Sequence, residues 1–241
     1  MKIFTGCCGF AERMQEYFKE FSTVEVQQTF YKIPQSKTLE KWRKLAPENF
    51  VFNVKCFQGV THPPSSPTWK RFGKAPEESG LLKPCKFVFE SWERTLKVAN
   101  ILKARIILIQ LPKSFKECEE SFENAESFFE RIERKDFEIS IELRGWSEEG
   151  IKKFCKKFQL IDCCDILYRE PVYLGKQKTL YVRLHGKYEN GRIIYSYSYS
   201  EEELKNIAQK VLRLKPKSAW IYFNNSDMLK NARKFTKLIG E

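Results

Sequence analysis

The chain has 241 residues, of which 42% are hydrophobic and 15% aromatic, and it carries a net charge of +12. This composition excludes a disordered protein, and the length suits one large α/β domain or two small ones. No run approaches the roughly 18 apolar residues of a membrane span, and no signal-peptide segment opens the chain, so we expect a cytoplasmic protein with no membrane partner.

Short apolar or alternating segments predict eight strands, at residues 2–6, 23–30, 50–57, 106–111, 138–143, 160–164, 181–186 and 219–224. Helical spacing of apolar residues, with a capping box at Ser200 and Glu203, predicts helices between them. The helices cover residues 11–21, 36–45, 89–102, 120–134, 147–158, 200–214 and 226–239. A long connection rich in Pro, Ser and Gly runs from 59 to 86, and no helix is expected in 165–179.

Strands that alternate with helices indicate parallel βαβ units. Eight such units in about 240 residues are typical of a (β/α)8 barrel of the TIM type, so we predict one barrel domain over residues 1–241. The helix after the sixth strand is expected to be shortened or missing. An open doubly wound sheet is the alternative, but no G-x-G-x-x-G or P-loop motif follows any strand.

The strand at 181–186 has the most unusual pattern. Arg183 and His185 alternate with Val182 and Leu184, so the two polar side chains share one face. Burying them would be costly unless other groups bind them. We therefore expect polar partners from other strands.

Those partners are expected at the carboxyl ends of the strands, where barrel enzymes have their active sites. A barrel interior usually contains Val, Ile and Leu, and polar residues in their place usually mark function. The polar residues predicted at this mouth are Glu25, Gln27, Asn53, Lys55, Gln110, Glu142, Arg144, Asp162, Arg183, His185, Asn224 and Asn225, and His62 in the third loop could reach them.

Three carboxylates face three cations in this set, so the charges balance and His185 is left as the group expected to titrate near neutrality. The alternative is a structural ion-pair network that only closes the top of the barrel. Because buried ion pairs add little stability over apolar packing, we favour a functional site.

Metal chemistry is limited because His62 and His185 are the only histidines, and a multi-zinc site needs several. A single Mg²⁺ or Mn²⁺ held by Glu25, Glu142 and Asp162 is an open alternative. No nucleotide-cofactor motif is present. The sequence therefore identifies no cofactor.

The chain contains eight cysteines but no C-x-x-C pair, and we expect reduced, mostly buried thiols. The adjacent pairs Cys7-Cys8 and Cys163-Cys164 leave a soft-metal or redox role open. Nucleophilic catalysis by Cys7 or Cys8 near His185 is a further alternative, with no motif behind it.

The net positive charge favours anionic partners, but its position matters. The basic C-terminal segment lies mostly before the last strand, at the bottom of the barrel, and is interpreted as a solvated surface. The mouth has basic residues among aromatic ones, which suits a phosphate-bearing ligand such as single-stranded nucleic acid. Amphipathic loop packing is the alternative for this group, which comprises Trp69, Lys70, Arg71 and Lys74 in the third loop and Lys187, Tyr188, Arg192, Tyr195, Tyr197 and Tyr199 in the seventh.

Several motifs occur in one order along the chain: Thr23-Val24-Glu25, Lys55 with Thr61-His62, Gln110-Leu111-Pro112, Glu142-x-Arg144-x-Trp146, Tyr181-Val182-Arg183-Leu184-His185-Gly186 and Phe223-Asn224-Asn225. This order resembles the YecE-like family, a domain of unknown function (number 72), over nearly the whole chain. The resemblance implies a TIM-type barrel and no established activity. Cys7-Cys8 departs from the Thr/Ser-Gly-Trp turn common in that family, and Lys187 stands where Arg is common.

The leading hypothesis is an enzyme, with hydrolase and lyase as the classes considered, that performs acid–base chemistry on an anionic small molecule or nucleic acid. The expected catalytic residues are His185, Glu142, Glu25 and Asp162. The expected substrate-binding residues are Arg183, Arg144, Lys55, Asn224, Asn225, Gln110, His62 and Gln27. The alternatives are a non-catalytic nucleic-acid-binding module and a pseudoenzyme. The sequence indicates no particular oligomeric state.

Overall fold

The computed structural model describes residues 1–240, with the side chain of Arg71 excepted. Eight parallel strands form one sheet that rolls into a barrel, and two more form an antiparallel hairpin after β7. The strands are β1 (Lys2–Cys7), β2 (Thr23–Val26), β3 (Val51–Lys55), β4 (Ile106–Leu111), β5 (Glu138–Leu143), β6 (Ile161–Cys164), β7 (Thr179–Leu184), β8 (Lys187–Glu189), β9 (Arg192–Ile194) and β10 (Ser218–Phe223). The (β/α)8 barrel expected from the sequence is confirmed.

The helices are α1 (Met14–Glu20), α2 (Gln28–Tyr31), α3 (Ser36–Leu45), α4 (Gln58–Thr61), α5 (Lys86–Leu102), α6 (Glu119–Arg131), α7 (Glu148–Phe158), α8 (Glu201–Leu214) and α9 (Met228–Ile239), with a 3-10 helix at Pro67–Arg71. The predicted capping box begins α8, since Glu203 N donates to Ser200 Oγ and Ser200 N to the Glu203 carboxylate. Within residues 1–240, no helix combines the length and apolar character that crossing a bilayer requires.

The segment after β2 and the long connection from 59 to 86 differ in detail from the sequence prediction, whereas the segment between β6 and β7 agrees with it. β2 ends at Val26 rather than at residue 30, because Thr29 Oγ1 donates to the Val26 and Lys55 carbonyls and a short helix, α2, begins at Gln28. Between β6 and β7 the described chain forms turns and no helix, as expected. The long connection from 59 to 86 holds α4 and the 3-10 helix.

Toward the amino ends of the strands, aromatic side chains fill the barrel. Phe4 and Trp220 stack with ring centroids 4.0 Å apart and planes 6° from parallel. Above them, the Tyr222 hydroxyl accepts from Asn53 Nδ2 at 2.8 Å and lies 2.7 Å from Thr23 Oγ1. These layers occupy the lower interior, so the polar residues above them form the floor of the mouth.

The barrel closes between β1 and β2 with little regular strand pairing. β1 pairs along its length with β10, whereas its link to β2 is an isolated bridge between Cys8 and Glu25. The Tyr17 side chain supplements this bridge, because its hydroxyl accepts from Cys7 N at 2.7 Å and donates to the Thr23 carbonyl at 3.0 Å. A buried tyrosine therefore joins the two strands where backbone pairing is thin.

Replacing Tyr17 with Phe should lower the free energy of unfolding by about 1–3 kcal/mol, since the buried Cys7 N–H and Thr23 carbonyl would lose their partner. Urea unfolding of the two proteins measures the change. Tyr173→Phe is the control, because its hydroxyl bonds to Gln159 at an exposed position and its loss should cost less than about 0.5 kcal/mol. Equal effects at the two tyrosines would contradict a role in closing the barrel.

Candidate active site at the carboxyl ends of the strands

Arg183, near the end of β7, is the centre of a buried ion-pair network. Its guanidinium donates from Nε to Glu25 Oε1 at 3.1 Å and from one terminal nitrogen to Glu142 Oε2 at 2.6 Å. Glu142 Oε1 also accepts from Arg144 Nε at 2.6 Å, and Glu25 Oε2 accepts from the Tyr181 hydroxyl at 2.7 Å. The network therefore links β2, β5 and β7 through charged side chains that are almost fully buried.

Glu142 is held ionised by this network. Burial opposes its charge, but the guanidinium charges of Arg144 and Arg183 lower the pKa of its carboxyl well below the usual range. Glu142 is therefore a fixed acceptor for two guanidinium groups.

His185 is neutral, because two arginines point at the same ring nitrogen. The terminal nitrogens of Arg183 and Arg144 lie 3.3 and 3.4 Å from its Nε2. A guanidinium can only donate, so Nε2 must present its lone pair and the proton lies on Nδ1. Burial, followed by the charges of Arg183 and Arg144, lowers the pKa of His185 to about 3, although Glu142 opposes this. This differs from the expectation that His185 titrates near neutrality.

Asp165, which follows β6, belongs to the site and was missed by sequence reasoning. Its carboxylate accepts from His185 N at 3.1 Å and from Leu167 N at 3.2 Å, and its Oδ2 lies 3.9 Å from His185 Nδ1. Burial raises the pKa of Asp165 to about 7. The two-residue alternation that turns Cys163 inward also reaches Asp165, and this signal could have identified it.

The structure does not bring Asp162 to the mouth, since it occupies the alternate position of β6 and faces outward. Arg169 binds its carboxylate at 2.6 and 2.7 Å, and Val172 N donates to it at 2.9 Å. Glu25 and Glu142 therefore do not converge with Asp162 on a point where a divalent ion could bind. Over residues 1–240 no three metal-ligating side chains are grouped suitably.

Asn225 is also turned away, because it donates to the Tyr197 carbonyl at 2.6 Å and to Asn231 Oδ1 at 2.7 Å. It fixes the chain around the start of α9. Asn224, one residue earlier, faces the mouth.

Lys55, the last residue of β3, extends into the mouth without an ion pair among the described residues. Its Nζ donates to Gln110 Oε1 at 3.0 Å and lies 3.9 Å from the centroid of the Phe30 ring. Burial, and next the charge of Arg183, lower the pKa of Lys55 to about 7, against the opposing carboxylates of the network. Lys55 and Asp165 are thus the groups here with a pKa near neutrality.

His62 and Gln27 both reach the mouth from loops. His62 Nδ1 lies 2.8 Å from Thr61 Oγ1, its ring packs edge-on against Phe30, and burial lowers its pKa to about 3. Gln27, the residue that precedes α2, donates from its Nε2 to Glu25 Oε1. Both are therefore neutral polar groups on the wall of the site.

These side chains surround a cavity of about 860 Å³ at the carboxyl ends of the strands. It brings together nine of the predicted site residues, with Glu25 directly beneath: Gln27, Lys55, His62, Gln110, Glu142, Arg144, Arg183, His185 and Asn224. The wall also contains Tyr188, Arg192 and Tyr195, which the sequence placed near the mouth, and four residues that sequence reasoning did not select: Lys113, Asp165, Tyr168 and Arg169. Six basic and two acidic side chains line the cavity, so its lining is predominantly basic.

The eight cysteines are free thiols, as expected, and six of them are buried. Burial raises the pKa of Cys7 to about 12 and that of Cys8 well above its usual range. A thiol is a weak nucleophile compared with its thiolate. Nucleophilic catalysis by Cys7 or Cys8 therefore has no support from their surroundings.

A closed parallel barrel with a polar cavity at the carboxyl ends of its strands defines the chain as a (β/α)8-barrel protein. The motif order that resembles the YecE-like family agrees with a wider comparison. The chain belongs to the family described as protein of unknown function DUF72, whose model matches residues 5–241. The expected family is confirmed.

Two relatives are similar along nearly the whole chain. UPF0759 protein YunF of Bacillus subtilis (strain 168) is 25% identical over 260 residues, which cover 95% of this chain and 86% of YunF. The crystal structure of a DUF72 family protein from Enterococcus faecalis V583 superimposes with a TM-score of 0.74 at 24% identity, covering 100% of this chain and 98% of that one.

Barrel enzymes outside the family share the fold at lower identity. Endonuclease IV from Thermus thermophilus superimposes with a TM-score of 0.59 at 11% identity, covering 100% of this chain and 99% of the endonuclease. Identity this low shows a common fold and carries no assignment of activity.

Proposed function

We propose that the protein is an enzyme that performs acid–base chemistry on a small anionic substrate in the cavity at the barrel mouth. One observation carries the proposal: Lys55 and Asp165 line the same cavity, and burial brings the pKa of each to about 7. Acid–base catalysts work best when their pKa lies near the working pH, and such shifts cluster at active sites.

We assign anion binding to the basic side chains that the carboxylates of the buried ion-pair network do not fully occupy. Arg183 binds two carboxylates and both terminal nitrogens of Arg169 bind Asp162, whereas Arg144 donates to Glu142 through Nε alone and keeps 27% of its side chain exposed. Lys113 and Arg192 stand on the exposed rim of the same cavity. A guanidinium suits a phosphate or carboxylate because it can donate two parallel hydrogen bonds.

The remaining residues have supporting roles in this proposal. Glu142 and Glu25 hold the arginines in place, and His185 contacts Arg144 through its neutral ring and Asp165 through its backbone N–H. Gln110, Asn224, His62 and Gln27 would orient the uncharged part of the substrate. We also propose that the protein is cytoplasmic, since the proposed substrates are phosphorylated metabolites.

The test is a screen of sugar phosphates and their unphosphorylated sugars, read by calorimetry and by product formation. Arg144→Gln should weaken binding of a phosphorylated ligand about tenfold, because it removes a charged donor. Asp165→Asn should lower kcat about 10²–10⁴-fold with binding retained, because it removes a group that transfers protons. Arg94→Gln, at an exposed position on α5, should change neither.

Equal affinity for sugars with and without phosphate would contradict the anion site. Turnover that survives Asp165→Asn unchanged would contradict the acid–base assignment, whatever the affinities are.

A non-catalytic nucleic-acid-binding module is the second candidate. The β8–β9 hairpin and the residues after it place Tyr188, Arg192 and Tyr195 on the cavity wall, with Lys187 next to Tyr188, and all four side chains are at least partly exposed. Single-stranded nucleic acid binds to surfaces that combine cations with aromatic rings. If the protein is such a module, its affinity for a single-stranded oligonucleotide should fall steeply as the salt concentration rises. No measurable affinity at low salt would exclude this candidate.

A further inference from the structure

Lys55 is a buried lysine with no carboxylate partner among residues 1–240. The arginines occupy the acidic groups of the network: Arg183 binds Glu25 and Glu142, and Arg144 binds Glu142 again. Lys55 is left with an amide oxygen and the face of an aromatic ring. A lysine that only completed an ion-pair network would be expected to contact a carboxylate directly. Lys55 does not, so a role in stabilising the network does not account for its burial.

The surroundings of Lys55 give its amine a hydrogen-bond acceptor but no counter-charge in direct contact. Gln110 Nε2 donates to the Leu111 carbonyl at 3.1 Å, which turns Oε1 toward Lys55 Nζ. An amide oxygen only accepts, so one N–H of Lys55 points at Gln110 and the lone pair can point elsewhere. Burial and the nearby Arg183 lower the pKa of Lys55 to about 7, so much of the amine is unprotonated at neutral pH.

The position of Lys55 gives that lone pair access to a ligand. Lys55 lines the same cavity as Arg144 and Asp165, on the wall formed by the end of β3. A desolvated lysine in such a pocket is a nucleophile for carbonyl compounds. The cavity volume of about 860 Å³ admits a molecule of the size of a sugar phosphate.

We propose that Lys55 forms an imine with a small aldehyde or ketone that carries a phosphate group, an inference that rests on the proposed function and names its substrate class. The Arg144 guanidinium receives the phosphate, and the carbonyl carbon faces Lys55 Nζ. The cavity is thereby a site of covalent catalysis.

The reaction balances with water as its only by-product. The Nζ lone pair attacks the carbonyl carbon, the carbonyl electron pair moves to oxygen, and a proton passes from nitrogen to that oxygen to give a carbinolamine. Protonated Asp165 then donates a proton to the hydroxyl, which leaves as water as the C=N bond forms. The products are a protonated imine on Lys55 and ionised Asp165.

The protonated imine explains why two groups near neutrality share the cavity. It withdraws electrons from the neighbouring carbon, so a C–H proton there becomes acidic enough for a carboxylate to remove. Asp165 becomes that carboxylate when it gives up its proton in the preceding step. Lys55 and Asp165 thus act in sequence on one substrate.

The test is reductive trapping of the whole protein with sodium cyanoborohydride and either pyridoxal 5′-phosphate or pyridoxal, followed by peptide mapping. We expect the phosphorylated aldehyde to label Lys55 in preference to the exposed lysines, and at least about tenfold more than pyridoxal does. Lys55→Met and Lys55→Arg should abolish this label, and the second variant keeps the positive charge. Lys97→Met, at an exposed position on α5 away from the mouth, should leave it unchanged.

Label confined to exposed lysines, in a protein that still binds sugar phosphates, would overturn the imine and leave the proposed function standing. Equal labelling of Lys55 by both aldehydes would support the imine and contradict the phosphate site. If Lys55 is trapped but the wild-type protein binds no sugar phosphate, the proposed anionic substrate would be contradicted.

Discussion

Arg183→Met should lower the free energy of unfolding by about 3–5 kcal/mol, because it leaves Glu25 and Glu142 buried with no cation between them. For a chain of this size that corresponds to a fall in Tm of about 10 °C. Unfolding in urea, followed by circular dichroism, measures the loss. Methionine has nearly the volume of the aliphatic part of arginine, so the loss reports charge and hydrogen bonds more than a cavity.

The matched control is Arg213→Met. Arg213 pairs with Glu170 at the surface, where both side chains are substantially exposed, so the same substitution should cost less than about 1 kcal/mol. Adding Glu25→Gln to Arg183→Met should recover part of the stability, since it removes one unpaired buried charge. Additive losses in the double variant would show that Arg183 and Glu25 are not coupled as the geometry requires.

Asp165→Asn should change how stability depends on pH. Asp165 has a folded pKa of about 7, above its unfolded value of 3.8, so the folded protein binds this proton more tightly. Wild-type stability therefore falls, through this group, as pH rises from about 4 to about 7. Near pH 4 the protonated acid resembles Asn, and above pH 7 the variant should be more stable than wild type by about 2–4 kcal/mol.

Urea unfolding of both proteins at pH 4 and pH 7.5 measures this difference. Other carboxylates titrate equally in both proteins and cancel in the comparison. Asp136→Asn, at an exposed position, is the control: its free energy of unfolding should differ from that of wild type by the same amount at both pH values. A constant gap between wild type and Asp165→Asn would mean that Asp165 is ionised throughout and is not the proposed proton donor.

The barrel was predictable because its signals are local. Each strand is marked by a short run of apolar or alternating residues and each long helix by its own periodicity, and eight repeats of this pair leave few other architectures. Arg183 was identifiable for a similar reason, since alternation in β7 fixes its face within a few residues. Sequence reasoning also assigned Lys55 and Glu142 correctly to the mouth.

The features of the site that the sequence does not reveal depend on which face of a short strand points inward and on contacts between residues far apart in the chain. β6 has only four residues, so its alternation alone does not show whether Asp162 or Cys163 faces inward, and Asp165 can be assigned to the site only once Cys163 is known to face inward. The neutral state of His185 depends on two arginines from different strands meeting at one ring nitrogen. No spacing along the chain encodes that meeting.

The pairing of β1 bears on how the molecule is made. β1 is the first of the barrel strands to leave the ribosome, yet its regular partner is β10, the last of them. Among residues 1–240, only a bridge and the Tyr17 hydroxyl provide hydrogen bonds between β1 and β2. Contacts between segments far apart in sequence make folding slow. During synthesis β1 must therefore wait, with one edge unpaired, until the last barrel strand has emerged. The nascent chain is consequently most exposed to aggregation, and most dependent on chaperones, just before the barrel closes.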